Sequence, residues 1–239
     1  MKAQYQQIYA LVCNAGISHQ MDEATKDGCC KTMQTNHSSH FLLVAELYPL
    51  LEKQASAIGD ARVVFHTSEA RNLTEKKRLE ERYLLKNGGN LGGNGKSILF
   101  GGGRIYRYSQ SKLANSVMTH AMHGKLQAKS SKIRVCCAHP GFALTGTGGY
   151  ISLPPLERVL FDYYLIPFVM QSGEDGTMGL LTGMMAGDAV SGTLYGPVGK
   201  NNMAGPIVEI SPNPWENDPE AMELLWTASE EVTGATFTI

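Results

Sequence analysis

A phenol and an ammonium stand four residues apart in the segment Tyr108-Ser-Gln-Ser-Lys112. On a helix, positions i and i+4 lie on one face, so both groups can act at the same site. A free tyrosine has a pKa of about 10, and a neighbouring ammonium lowers that pKa toward the range useful for proton transfer. The pair therefore indicates proton transfer to or from a substrate oxygen, although this spacing also arises by chance in many sequences.

Ser68 lies at the end of an apolar run that predicts a buried strand. Residues 62–65 lead into His66-Thr-Ser68, and α/β sheets bind their ligands at the carboxyl ends of such strands. There the Ser68 hydroxyl can donate a hydrogen bond to a substrate carbonyl and stabilise developing charge. A helix or turn cap is the alternative interpretation, and the residue alone does not separate the two.

Three further parts of the sequence can each be interpreted in two ways. Asn14-Ala-Gly16 follows an apolar run and either lines the same sheet edge or forms a tight turn. Asn36 lies within an amphipathic helix pattern, where asparagine is unfavourable, so it faces either a site or solvent. Pro140-Gly141 follows another apolar run and either joins the site or simply ends the strand.

Apolar runs and helical patterns alternate along the chain. The runs are continuous rather than alternating, which indicates strands buried on both faces of a parallel sheet. This order predicts a doubly wound, Rossmann-like α/β fold with right-handed crossovers. Pro49 is expected to bend or end the first helix. The predicted strands span residues 8–13, 62–65, 133–137 and 206–210, and the predicted helices span residues 31–53, 108–126, 173–186 and 218–233.

Residues 71–104 are predicted to be an insertion between these elements. The charged residues 73–83 predict a solvated helix, and the glycine-rich residues 87–97 predict a mobile loop. This loop ends in Gly95-Lys96-Ser97, but the glycine that a P-loop needs five positions before Gly95 is Asn90. A phosphate-binding P-loop is therefore not predicted.

The composition excludes several classes of protein. The chain has 239 residues and a net charge of -1, which argues against nucleic-acid binding. Its five cysteines, four of them in two adjacent pairs, indicate reduced thiols rather than a disulfide framework or a zinc site. The sequence shows neither the apolar run of a membrane span nor that of a signal peptide, so a cytoplasmic location is expected.

The series Asn14-Ala-Gly16, Asn36, Ser68, Tyr108-x-x-x-Lys112 and Pro140-Gly141 resembles the short-chain dehydrogenase/reductase family in order and spacing. Local segments are similar to its retinol-dehydrogenase-like branch, which includes WW-domain-containing oxidoreductase. The resemblance covers nearly the whole chain. It implies one domain over residues 1–239 and an NAD(P)-dependent oxidoreductase that interconverts the alcohol and carbonyl of a lipophilic small molecule. The segments that carry it are Asn36-His-Ser-Ser-His-Phe-Leu-Leu43 and Ser109-Gln-Ser-Lys-Leu-Ala-Asn115.

The resemblance also implies a role for each matching residue. Tyr108 would donate or accept the proton, and Lys112 would lower the pKa of Tyr108 and bind the nicotinamide ribose. Ser68 would polarise the carbonyl, and Asn36 would hold a water that links Lys112 to solvent. NADP is favoured over NAD as the cofactor. The implied cofactor-binding residues are Asn14, Ala15, Gly16, Lys112, Pro140, Gly141, Ala143 and Thr145.

Two regions complete the expectations from the resemblance. Residues 146–171 would form a substrate lid, with ordinary core, a dimer surface or a membrane-surface contact as alternatives. No Gly-x-x-x-Gly-x-Gly dinucleotide loop precedes Asn14, which predicts a domain truncated at its N-terminus, without the first strands of the fold. The alternative function is an inactive fragment or paralogue that acts, if at all, by associating with another subunit. A homo-oligomer is also an open expectation.

Overall fold

A five-stranded sheet, in the order β1-β2-β3-β4-β5, forms the centre of the molecule. The computed structural model describes residues 5–143, 153–199 and 201–239. β1 to β4 run parallel, and β5 is antiparallel to β4. The strands are β1 (Ala10–Cys13), β2 (Ala61–His66), β3 (Ile133–Ala138), β4 (Leu194–Gly199) and β5 (Ala204–Ile210).

Helices cover both faces of this sheet, which confirms the predicted doubly wound α/β class. The α-helices are α1 (Ser39–Ile58), α2 (Gly103–Ala128), α3 (Pro155–Leu160), α4 (Ile166–Val169), α5 (Gly173–Met185) and α6 (Pro219–Thr233). Shorter segments are the helical turn Lys31–Met33, the π-helices Gln34–Ser38 and Phe161–Leu165, and the 3-10 helices Glu69–Leu73 and Glu81–Tyr83.

Two hydrophobic cores lie on opposite faces of the sheet. Val63 belongs to the larger core and Val64 to the smaller one, because successive strand residues point to opposite faces. The larger core includes side chains of α1, α2 and α6. α5 lies against the smaller core, close enough that a side chain at Gly183 would approach Val64 to 3.3 Å. The sheet is thus fixed from both sides, with the carboxyl ends of β1, β2 and β3 along one edge.

The strand predictions hold for β1, β2 and β3 and fail at the far edge of the sheet. β4 was not predicted, because Gly196 and Pro197 interrupt its apolar pattern. The run over residues 206–210 does form β5, but this strand is antiparallel and half exposed. Its prediction as a parallel strand buried on both faces is wrong, since β5 is an edge strand that closes a hairpin with β4.

One helix prediction is also wrong. Residues 73–83 do not form one solvated helix: the chain turns there, and Leu79 and Tyr83 are buried in the larger core. Of the two outcomes expected at Pro49, the end of the helix does not occur there, because α1 continues to Ile58. Pro49 lies on the exposed side of α1, where water can satisfy the carbonyl group that proline leaves without a donor.

Candidate active site

Ser68 and Tyr108 meet at the carboxyl end of β2. Burial raises the pKa of Tyr108, and a hydrogen bond between its hydroxyl and Ser68 opposes that rise. The Ser68 hydroxyl also accepts a hydrogen bond of 3.2 Å from the Ala70 amide, at the start of the 3-10 helix Glu69–Leu73. The cap interpretation of Ser68 is therefore confirmed, and the same side chain faces the Tyr108 phenol.

Lys112 lies one helical turn beyond Tyr108 and is only 2% exposed. Its Nζ atom lies 5.7 Å from the centroid of the Tyr108 ring. It donates a hydrogen bond of 3.1 Å to the His66 carbonyl and lies 3.3 Å from His66 Nδ1. Burial lowers the pKa of Lys112 to about 8. The ammonium therefore titrates close to neutral pH, beside the phenol that it would activate.

The helix α2 is tied to the strand that presents Ser68. The Thr67 hydroxyl donates a hydrogen bond of 2.6 Å to the Lys112 carbonyl. Asn115 Nδ2 donates to the His66 carbonyl at 2.9 Å and to the Asn36 carbonyl at 3.0 Å. These bonds fix the position of the Tyr108–Lys112 turn relative to the end of β2.

Asn36 is completely buried, so the interpretation of a solvent-facing side chain is wrong. Its Nδ2 donates to Ser111 Oγ and to the Ile17 carbonyl, each at 2.9 Å, and its Oδ1 accepts from the Ile17 amide at 2.8 Å. Asn36 lies in the π-helix Gln34–Ser38, a local widening of the kind often found at functional sites. It therefore holds the loop after β1 against α2.

That loop brings the Gly16 backbone close to the same groups. A Cβ atom added at Gly16 would lie 3.3 Å from Asn36 Oδ1 and 3.5 Å from Lys112 Nζ. Asn14, Ala15 and Gly16 are themselves exposed. A side chain at position 16 would crowd the Asn36 amide and the Lys112 ammonium, so a glycine here lets the backbone pass close to both groups.

The predicted residues after β3 lie on the same edge, because Ala138 pairs with His66 in the sheet. Gly141 has a φ of +63°, and a Cβ atom there would come within 2.3 Å of the Met203 carbonyl oxygen. The Pro140 carbonyl accepts a hydrogen bond of 2.7 Å from Gln171, and Ala143 forms a bridge with Gln171. Thr145 lies outside the described residues, as do residues 146–152 of the predicted lid.

Buried histidines surround Lys112, and the sequence interpretation did not include them in the site. His40 is only 4% exposed. Burial, with Lys112 nearby, lowers the pKa of His40 to about 4 and that of His66 well below its usual range. A histidine within an apolar strand or helix gives no sequence signal of where its ring points. These rings are neutral at pH 7, so the positive charge at the site belongs to Lys112.

All five cysteines are free and buried, which agrees with the reduced-thiol interpretation. Within residues 5–143, 153–199 and 201–239, no cluster of histidine, cysteine, aspartate and glutamate could hold a metal ion. In the same described part, no helix is long and apolar enough to cross a membrane.

The chain is similar in sequence to proteins that are named dehydrogenases or oxidoreductases. It is 25% identical over 229 residues to retinol dehydrogenase 14 of Mus musculus, an alignment covering 94% of this chain and 58% of that protein. It is 32% identical over 169 residues to an uncharacterized oxidoreductase of Schizosaccharomyces pombe, covering 69% of this chain and 46% of that protein. The chain thus spans about half the length of these curated relatives. No family model matches it.

Solved structures share the fold. An uncharacterized protein from Mycobacterium paratuberculosis superposes with a TM-score of 0.68 and 24% identity, covering 99% of this chain and 71% of that one. The complex of Pseudomonas aeruginosa RhlG with NADP superposes with a TM-score of 0.52 and 22% identity, covering 81% of this chain and 66% of that one. These likenesses confirm the Rossmann-like fold.

Proposed function

We propose that this protein is a nicotinamide-dependent oxidoreductase that interconverts an alcohol and a carbonyl on a lipophilic small molecule. The observation that carries the proposal is the meeting of Ser68 and Tyr108 hydroxyls one helical turn from the buried Lys112 ammonium. A structural role alone would not require a lysine that burial destabilises at this position. Perturbed titratable groups of this kind are typical of functional sites.

Four residues of the chain would each have a separate role in the reaction. Ser68 would donate a hydrogen bond to the substrate oxygen, and Tyr108 would pass it a proton in reduction or accept one in oxidation. Lys112 would favour the phenolate of Tyr108 through its charge. Asn36, which holds the loop after β1 in place, would keep Lys112 connected to solvent through water.

The described residues fit the nicotinamide end of a dinucleotide. Gly16 lets the exposed loop after β1 pass close to Lys112 Nζ, where a ribose hydroxyl would accept a hydrogen bond from the ammonium. When bound, the nicotinamide supplies or accepts the hydride. NADP is the proposed form, from the family resemblance; the RhlG complex named above contains NADP. The residues proposed to hold the cofactor are Asn14, Ala15, Gly16, Lys112, Pro140, Gly141, Ala143 and Thr145.

Substrate access would involve the segment over residues 146–171, which we propose as a lid. Its described part packs on the chain after β3 through Phe161, which contacts Phe142 edge to face with 5.5 Å between ring centroids. Apolar side chains in this segment suit a lipophilic substrate. The insertion over residues 71–104 is proposed to border the same entrance, since its Ser97 hydroxyl binds Glu157 of α3 at 2.5 Å.

Calorimetric titration with NADPH and NADH tests the proposal. We expect the wild-type chain to bind at least one of them, and Gly16→Val to bind about tenfold or more weakly, because the added side chain would crowd Asn36 Oδ1 and Lys112 Nζ. The control variant is Gly124→Ala, at a glycine on the exposed part of α2 with nothing nearby. Gly59 also has open surroundings remote from the site, but a side chain there would be strained because its φ is positive. Absence of binding by the wild type would favour the inactive alternative.

A further inference from the structure

The His66 side chain contacts the buried Lys112 ammonium directly. Its Nδ1 atom lies 3.3 Å from Lys112 Nζ, and its carbonyl accepts a hydrogen bond of 3.1 Å from the same ammonium. Asn115 Nδ2 also donates to that carbonyl, at 2.9 Å. Because His66 pairs with Ala138 in the sheet as well, its main chain is fixed on both sides. The ring is therefore positioned beside the ammonium by its own backbone.

The ring hydrogen of His66 must lie on Nε2. A lysine ammonium has three donors and no acceptor, so a nitrogen that it binds carries no hydrogen. Burial, with Lys112 nearby, lowers the pKa of His66 well below its usual range, so the ring is neutral at pH 7 and has one hydrogen. The contact thus makes Nδ1 an acceptor that faces the ammonium and leaves the hydrogen on the opposite nitrogen.

His66 is partly exposed, whereas Lys112 is buried. The other titratable groups that act on one or both of these residues are His40, His139 and Cys137, and all three are buried. Burial lowers the pKa of His40 to about 4 and that of His139 to about 3, and it raises that of Cys137 to about 12. These three are neutral at pH 7. Within this group, His66 is the residue that meets both the ammonium and solvent.

The water link proposed at Asn36 is less direct. Asn36 Nδ2 donates to the Ile17 carbonyl and to Ser111 Oγ, and its Oδ1 accepts from the Ile17 amide. With these partners, a link from Asn36 to the ammonium needs an intervening water, whereas the His66 ring meets Lys112 Nζ without one. An imidazole is also suited to proton transfer, because it can take a proton at one nitrogen and give one up at the other.

We propose that His66 carries protons between the Lys112 ammonium and solvent. The ammonium gives a proton to Nδ1 while Nε2 releases its own hydrogen to water as a proton. This leaves a neutral amine that accepts a hydrogen bond from Nδ1, and the reverse steps restore the ammonium. Since His66 acts through Lys112, it is a positioning residue. Its importance for turnover rests on the proposed function, whereas the proton exchange itself needs no dinucleotide.

Proton exchange at the Lys112 ammonium tests the proposal. NMR of the full chain, labelled with nitrogen-15 lysine, measures exchange of the Nζ hydrogens with water at low temperature, and Lys112→Arg identifies the signal. The test variant is His66→Gln, because a glutamine carbonyl still accepts from the ammonium but cannot pass a proton on. The matched control is His123→Gln, about three turns further along α2. His123 is also partly exposed, and its Nδ1 lies 3.0 Å from Ser191 Oγ.

We expect His66→Gln to slow exchange at Lys112 about tenfold or more, and His123→Gln to leave it unchanged. Thermal unfolding checks that the variants fold, and His66→Val, which suits a strand, replaces His66→Gln if that variant does not. Exchange in the folded variant that is as fast as in the wild type, or faster, overturns the proposal, because the ring would then only accept a hydrogen bond or shield the ammonium. The measurement uses the protein without cofactor, so a chain that turns over no substrate would refute the proposed function and leave this result standing.

Discussion

Burial of the Lys112 ammonium destabilises the fold, and the proposed chemistry explains why a lysine stands there. Its ammonium is almost fully buried, and its hydrogen-bond acceptor is the His66 carbonyl rather than a carboxylate. Burial lowers the pKa of Lys112 from 10.5 to about 8. Below about pH 8 the lysine is charged in both the folded and the unfolded chain, so the folded state bears the full penalty of burying that charge. Between about 8 and 10.5 the unfolded chain alone keeps the proton, and the penalty declines as pH rises.

Replacing this lysine should therefore stabilise the fold while removing function. We expect Lys112→Met to raise the free energy of unfolding at neutral pH by up to roughly 3 kcal/mol, a gain that shrinks toward pH 10.5. Urea unfolding at several pH values measures it, with the exposed Lys129→Met as the matched control. A loss of stability in Lys112→Met at neutral pH would show that the ammonium supports the fold rather than burdening it.

Residue types and spacing left alternatives open for Ser68, Tyr108, Lys112 and Asn36, and the family resemblance was needed to assign them to one site. Their neighbours were not predictable in the same way. His66 stands two positions before Ser68 on β2, and nothing in an apolar run reveals that its ring reaches Lys112 at 3.3 Å. The double role of Ser68, as a turn cap and as a partner of Tyr108, also becomes visible only in three dimensions.

At the scale of elements, a buried ion pair fixes the segment that follows Ser68. Arg71 Nε donates to Glu216 at 3.1 Å, and both side chains are at most 1% exposed. The Ser116 hydroxyl of α2 donates to the other Glu216 oxygen at 2.6 Å. The loop before α6, the 3-10 helix after Ser68 and α2 are thus joined at one carboxylate.

Removing the Glu216 carboxylate should lower the stability of the fold. We expect Glu216→Ala to lower the free energy of unfolding by about 3 kcal/mol, because Arg71 would keep a buried charge with only part of its partners. Glu23→Ala, which removes an exposed partner of Lys31, should cost less than about 1 kcal/mol. Urea denaturation compares the two variants. Equal losses would mean that the Glu216 pair contributes no more than a surface contact.

The first residues of helices that begin at a clear capping residue could be predicted from the sequence to within a few positions. α5 and α6 begin after Ser172 and Asp218, whose side chains accept hydrogen bonds from backbone amides as helix caps. The sequence pattern does not predict β4, because Gly196 and Pro197 within it are typical of loops. The charge and spacing of residues 73–83 predict a helix, although burial of Leu79 and Tyr83 decides the path of the chain there. Long-range packing overrides local pattern in such segments.

At the scale of the whole molecule, buried neutral histidines make stability depend on pH. Burial is the main cause that lowers the pKa of His19, His37 and His40 to about 4 each and that of His139 to about 3. The unfolded chain binds protons at these residues below about pH 6.5, while the folded chain does not. The unfolded state therefore gains protons as pH falls from 6.5 to 4, and the fold loses stability over that interval.

Acid should accordingly unfold the protein cooperatively. Four such histidines predict a fall in the free energy of unfolding on the order of 5 kcal/mol per pH unit at the steepest point. Urea midpoints at about pH 7, 6 and 5 measure the slope. The double variant His37→Asn, His40→Asn should show a shallower one. A free energy that stays constant over this interval would contradict the buried, neutral state of these rings.

The central claim is that Tyr108 exchanges a proton with a substrate oxygen that Ser68 polarises. Its most direct test is oxidation of reduced nicotinamide cofactor by a panel of lipophilic aldehydes and ketones, followed with wild type and Tyr108→Phe under the same conditions. We predict turnover by the wild type, and a loss of about 10²–10⁴-fold in Tyr108→Phe with unchanged thermal unfolding. Turnover by Tyr108→Phe at the wild-type rate would contradict the claim.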